Sequence, residues 1–138
     1  HVQKASPEGI CRIDGARFQD EDIAIAAKHT IISCEELMSN EEMRKDPNAN
    51  TIPGLCVSAV VHMPYGAHPS QCYGCYDYDA AALIEYDKAS RTQEAFDAYI
   101  ERYVLSSHQK YLDTVGGKHL AGLKVDPEYG YVRGLKRK

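Results

Sequence analysis

The side chains best suited to chemistry crowd into one stretch, Pro64-Tyr65-Gly66-Ala67-His68-Pro69-Ser70-Gln71-Cys72-Tyr73-Gly74-Cys75-Tyr76-Asp77-Tyr78-Asp79. His68 can donate or accept a proton near neutral pH. The tyrosines offer apolar walls with polar tips, and Gly66 and Gly74 let a ligand or another backbone approach closely. Tyr65, Gly66, His68, Ser70 and Tyr73 are therefore the candidate residues lining a pocket or an interface. The same composition also suits a rigid surface loop in which His68 and Ser70 bond only the backbone, and the residue types alone leave both readings open.

Three other groups invite chemical readings. Cys72-x-x-Cys75 has the spacing of half a zinc site or of a redox pair. A zinc site ordinarily needs four ligands, commonly from two such pairs, and this chain has no second C-x-x-C, so no metal site is assigned. Glu35-Glu36 follows an apolar segment and could present a carboxylate nucleophile, although adjacent glutamates there are also common as solvated loop residues. Asp20 to Asp22 resembles a cation cluster, but acids at a helix start already account for it.

These residues must be positioned by an α/β framework. His1 to Ala5 reads as the end of a strand and Ile10 to Asp14 as a half-buried one, with Ser6-Pro7-Glu8-Gly9 as the turn between. A helix is expected from Asp20, with acids in its first turn and Lys28 and His29 at its end. Thr30 to Cys34 follows as a short strand. Ser39 and Glu42 form a capping box for a helix that Pro47 closes. Leu55 to Met63 is the strongest strand signal, nearly continuous in apolar residues, as expected of a parallel strand covered on both faces. The candidate loop leaves its carboxyl end, where α/β sheets place ligand loops. Asp79 is the expected N-cap of a helix over Ala80 to Ala89, and Thr92 that of a long helix from Gln93 toward Thr114, which Gly116-Gly117 ends. Residues from about 117 to 138 read as a C-terminal tail. The whole, 1–138, reads as one incomplete α/β domain.

Composition narrows the class. The chain has 138 residues, a net charge of -4 and a pI near 5.8, with basic residues scattered except at Arg133 to Lys138. That pattern gives no nucleic-acid footprint. No apolar run approaches the ~18 residues of a membrane span, so no membrane association is expected. Five cysteines, three of them (Cys11, Cys34, Cys56) in apolar segments, point to reduced, structural thiols and a reducing compartment.

The runs HVQKASPEGICRIDG, DIAIAAKHTIISCEEL, EEMRKDPNANTIPG and LCVSAVVHMPYGAHPSQCYGCYDYD resemble the A (alpha) subunits of family I CoA-transferases, with glutaconate and 3-oxoacid CoA-transferases the nearest in character. The likeness runs from His1 to about Tyr103 and is carried most specifically by Arg44 to Gly54 and Pro64 to Ser70. The resemblance implies an open, mostly parallel sheet with helices packed on it, the N-terminal strands being absent from this chain. It implies coenzyme A as a substrate rather than a bound cofactor, moved between an acyl-CoA and a free carboxylate through an enzyme glutamate. That glutamate attacks the thioester to give a mixed anhydride and then an enzyme–CoA thioester, which implies ping-pong kinetics. In the family it lies on the B-type chain, so a B-type chain and the N-terminal part of the alpha chain are the implied partners. No nucleophile is assigned here, and the chain is expected to be a cytoplasmic subunit segment, inactive alone. Two alternatives stand beside this reading: a related acyl-CoA ring-cleaving hydrolase, and a small zinc-binding or structural module built on Cys72-x-x-Cys75.

Overall fold

Residues 1–134 are described by a computed structural model, and they pack as two compact units. The first comprises His1–Ala67 with Cys72–Cys75, the second His68–Gln71 with 76–134. The candidate loop is thus divided between them.

The first unit is built on a four-stranded sheet. Its strands are β1 (Val2–Ala5), β2 (Cys11–Arg12), β3 (Ile31–Leu37) and β4 (Ala59–His62), in the order β2-β1-β3-β4. β1 and β2 form an antiparallel hairpin, while β1, β3 and β4 run parallel. Parallel neighbours require crossovers, and two short helices, α1 (Asp20–Ala26) and α2 (Asn40–Lys45), lie in them. Val2, Ala5, Cys11, Ala24, Ile32, Cys34 and Ile52 form the core, so the sheet and α1 share one apolar centre. Cys11 and Cys34 act there as small buried hydrophobes, and all five cysteines are free thiols. Burial lifts the Cys11 thiol to about 11 and raises that of Cys34 as well.

Local chemistry sets the ends of these elements. Ser39 accepts the Glu42 amide and Glu42 in turn accepts the Ser39 amide, the expected capping box. Arg12 fastens the other end of α2, its Nη2 donating to the carbonyls of Met43 (2.9 Å) and Asp46 (3.1 Å) and its Nε to Asn50 Oδ1 (2.9 Å). Orphan carbonyls of a helix C-terminus are thereby satisfied by a cation, which the helix dipole also favours. Lys28 and His29 lie beyond the cap of α1 at Ala27, not in its last turn.

The segment expected as the most buried strand differs. Gly54–Cys56 is a 3₁₀ turn, Leu55 is 90% exposed, and only Ala59–His62 is extended, with mixed exposure. The turn begins where Gly54 packs against the carbonyl of Glu8, an approach that Pro53-Gly54 permits and a regular strand does not. β4 is parallel to β3 as expected, yet among the described residues it pairs with β3 alone.

The second unit is helical: α3 (Ala80–Ala89), α4 (Gln93–Tyr103), α5 (His108–Val115) and α6 (Gly117–Gly122). Asp79, Thr92 and Ser107 cap the first three. The long helix expected to run on toward Thr114 is broken after Tyr103, because the Ser107 hydroxyl accepts the Lys110 amide and starts a new helix. The expected tail carries α6, with Leu120 and Leu123 buried, and Lys124 bridges to Tyr76. Of the basic stretch at the end, Arg133 pairs with Asp126 and Glu128, and residues 135–138 lie outside the described residues. α3, α4 and α5 contain no fully buried residue. Their packing comes from a series of tyrosine contacts, Tyr86–Tyr99, Tyr99–Tyr103 and Tyr103–Tyr111, with centroids 4.8 to 6.1 Å apart.

The Gly54 contact gives a test of the fold. A Cβ there would sit 2.2 Å from the Glu8 carbonyl oxygen, a backbone atom that cannot rotate away. Gly54→Ala should lower the urea unfolding midpoint by the equivalent of about 1–3 kcal/mol. An unchanged midpoint would mean the turn is not packed as described.

Candidate functional site

Two polar clusters stand out, one in each unit, and each is organised by a carboxylate. In the first unit, Val2 of β1 pairs with Cys34 of β3, which brings His1 beside Ser33 and Glu35. His1 Nδ1 lies 2.8 Å from Ser33 Oγ, and Nε2 lies 2.6 Å from Glu35 Oε1. The second oxygen of Glu35 accepts the backbone amide of Tyr65 at 2.8 Å. Tyr65 has φ 59, the left-handed region that a residue with a large side chain rarely occupies. Gly66 follows because nothing larger fits: a Cβ would sit 2.6 Å from His1 Cε1 and 2.8 Å from the Met63 carbonyl oxygen. Cys72 is buried beside this group, and its thiol is hydrogen-bonded to that of Cys75. That bond, with burial and the charge of Glu35, raises the Cys72 thiol, while the same bond lowers the Cys75 thiol.

In the second unit the organiser is Asp79. Its Oδ1 accepts the amides of Ala81 (3.0 Å) and Ala82 (3.1 Å), capping α3. Its Oδ2 lies 3.1 Å from His68 Nε2 and 2.6 Å from His119 Nε2. The His68 side chain is fully enclosed, and its Nδ1 lies 2.5 Å from the Tyr111 hydroxyl. Because a carboxylate only accepts, His68 donates from Nε2, and Nδ1 then accepts from Tyr111. One N–H and one lone pair, both used, describe a neutral imidazole. The titration behaviour agrees: burial lowers the His68 pKa, outweighing the opposing pull of Asp79. Burial pushes the Asp79 carboxyl up, but its bonds from His119, the Ala82 amide and His68 outweigh that and hold it below the usual range. Burial and nearby anionic groups push the Tyr111 hydroxyl up to about 12. The cluster forms one wall of an open cleft of about 230 Å³, whose other lining includes Glu85, Arg102 and Tyr103.

The residues singled out in the sequence are therefore distributed. Tyr65 and Gly66 join His1 and Glu35, while His68 joins Asp79, Tyr111 and His119. Ser70 is exposed. Tyr73 is also exposed, its ring against Gly15 and its carbonyl accepting from Gln3 Nε2 at 3.1 Å. Glu35, one of the two glutamates with the potential of a nucleophile, is a structural acceptor for a backbone amide and a histidine. His1, Tyr111 and His119 carry no sequence signal of their own, because their partners lie 34, 43 and 40 positions away.

The Asp79 cluster makes acid stability predictable. His68 has a lowered pKa in the fold, so its contribution is complete above about 6.5 and declines as pH falls below that value. Asp79 also has a lowered pKa, so its contribution holds above 3.8 and is lost as pH falls through the lower folded value. Urea midpoints should therefore fall in two stages on acidification. Asp79→Ala should cost about 2–4 kcal/mol at neutral pH and remove the lower stage. A midpoint independent of pH, or an Asp79→Ala variant as stable as the parent, would contradict the assignment.

Comparison with known proteins places this geometry. Over 133 residues the chain is 58% identical to the A-type subunit of glutaconate CoA-transferase from Acidaminococcus fermentans, covering 95% of this chain and 42% of that protein. The crystal structure of glutaconate coenzyme A-transferase from that organism matches with a TM-score of 0.92 at 57% identity, over 96% of this chain and 42% of the other. The A-type subunit of 3-oxoadipate CoA-transferase from Pseudomonas knackmussii is 33% identical over 104 residues, 75% of this chain and 36% of that protein. More distant is the cholesterol ring-cleaving hydrolase IpdA subunit of Mycobacterium tuberculosis, 27% identical over 96 residues, 68% of this chain and 33% of that protein. The chain thus spans less than half the length of each of these relatives. No protein-family model matches it. Among the described residues, no helix is long and apolar enough to cross a membrane. In sequence and in fold, along nearly its whole length, this chain matches part of the A-type subunits of CoA-transferases.

Proposed function

We propose that this chain forms pocket wall and subunit interface in a cytoplasmic acyl-CoA:carboxylate CoA-transferase, and that a B-type partner chain supplies the catalytic glutamate. The observation that carries the reading is 58% identity over 95% of the chain to the A-type subunit of a glutaconate CoA-transferase. In this reading coenzyme A is a substrate, and the acceptor is a free carboxylate. Tyr65, Gly66, His68, Ser70 and Tyr73 serve positioning rather than covalent roles. The hydrogen-bonding of the loop supports that division, since Tyr65 is anchored through its amide and His68 is saturated by Asp79 and Tyr111. Such preorganised segments hold a bound substrate in register for an attacking group on another chain.

Co-expression of the complete A-type subunit containing this chain with a B-type subunit, followed by a CoA-exchange assay, tests the proposal. The expected result is ping-pong transfer of CoA from an acyl-CoA to an added carboxylate, and no transfer by the 138-residue chain alone. Release of free CoA without an acceptor acid would favour a hydrolase of the ring-cleaving kind instead. Turnover by the isolated chain would mean that the nucleophile had been assigned to the wrong subunit.

A further inference from the structure

Cys72-x-x-Cys75 lacks further ligands in the sequence, but folding supplies them. A ring nitrogen of His1, a carboxylate oxygen of Glu35 and the sulfur of Cys72 lie within 4.8 Å of one another. Cys75 is hydrogen-bonded to Cys72 but stands outside this group of three. The side chains of His1 and Glu35 are 14% and 11% exposed and Cys72 is buried, so the group lies at the edge of the unit with its ligand side chains mostly withdrawn from water.

The orientation of these groups points the same way. Metal-binding histidines and carboxylates are ordinarily held from behind by hydrogen bonds that aim the ligating atom. Here Ser33 Oγ holds His1 Nδ1, which turns Nε2 toward Glu35. The Tyr65 amide holds Glu35 Oε2, and Gly66 packs against the His1 ring. These supports come from the strained Tyr65 and from a glycine that no larger residue can replace, so the local backbone is shaped around the pair. Nitrogen, oxygen and sulfur are a donor set that zinc accepts and that calcium or magnesium does not.

We infer that His1, Glu35 and Cys72 form a three-residue zinc site that ties Cys72 to β1 and β3, with a water completing the tetrahedron. Zinc with bonds of ~2.0–2.3 Å sets ligand atoms about 3.3–3.8 Å apart. The 2.6 Å His1–Glu35 separation and the 4.8 Å limit of the cluster bracket that range, so small side-chain rotations suffice. On binding, the cation takes the place of the proton between His1 Nε2 and Glu35 Oε1; the ring proton moves to Nδ1, which then donates to Ser33 Oγ, and the thiol proton of Cys72 passes to solvent. No electron moves, and the site does not depend on which acyl-CoA reaction the assembly performs.

Cobalt(II) titration of the complete, chelator-treated subunit in its assembly provides the test, with zinc analysis of the untreated protein alongside. The expected result is a thiolate-to-cobalt charge-transfer band with tetrahedral visible absorption, saturating at about one ion per chain and displaced by zinc. Cys72→Ser should abolish the band, Cys75→Ser should retain it, and Glu35→Gln should weaken affinity by at least about tenfold. Saturation without a thiolate band, binding no tighter than that of a Cys72→Ser variant, or no bound ion at micromolar metal would each overturn the site. A band lost in Cys75→Ser would overturn the three-residue assignment.

Discussion

A carboxylate withdrawn from water needs donors for its oxygens, and two carboxylates, the buried Asp79 and the half-buried Glu35, hold the loop from Pro64 to Asp79. Asp79 collects two helix amides and two imidazoles. Glu35 collects the Tyr65 amide and His1. One sits in each compact unit, so the stretch from Pro64 to Asp79 is anchored to the sheet near its beginning and to the helical unit at His68 and at its end. Neither anchor resembles a surface ion pair worth a few tenths of a kcal/mol. Removing an acceptor of this kind strands several donors at once, and each stranded donor costs about 1–3 kcal/mol.

The sheet makes the first anchor possible. Parallel pairing of β1 with β3 sets Val2 opposite Cys34, and the alternation of side chains along β3 brings Ser33 and Glu35 beside His1. Cys11 and Cys34 fill the core beneath, where an ionised thiol is disfavoured and a small apolar one fits. In the second unit the helices bury little aliphatic surface, so tyrosine contacts and the Asp79 cluster carry the packing, and His68 joins both through its edge contact with Tyr111. The cleft beside it mixes aromatic walls with Glu85, Arg102 and His119. Such a surface suits orientation of polar groups better than covalent attack.

Much of this is legible in the sequence wherever the cause is local. The capping box at Ser39, the caps at Asp79 and Thr92, and the alternation in Ile10 to Asp14 all depend on neighbours within a few residues. Sequence and structure part where distant atoms decide. Leu55 to Met63 has the composition of a buried strand, but the contact of Gly54 with Glu8 converts its first residues to a turn. Helical spacing from Gln93 onward hides the competition from the Ser107 hydroxyl. The loop stands out by composition as the candidate stretch, but its partners His1, Tyr111 and His119 follow from pairings across 34 to 43 positions.

Asp79 is, centrally, an anion that fixes a neutral His68 between itself and Tyr111. Nitrogen-15 NMR of the histidine rings reads the tautomer directly. At neutral pH His68 should be uncharged, with its proton on Nε2 and a lone pair on Nδ1. An imidazolium signal, or a proton on Nδ1, would contradict it.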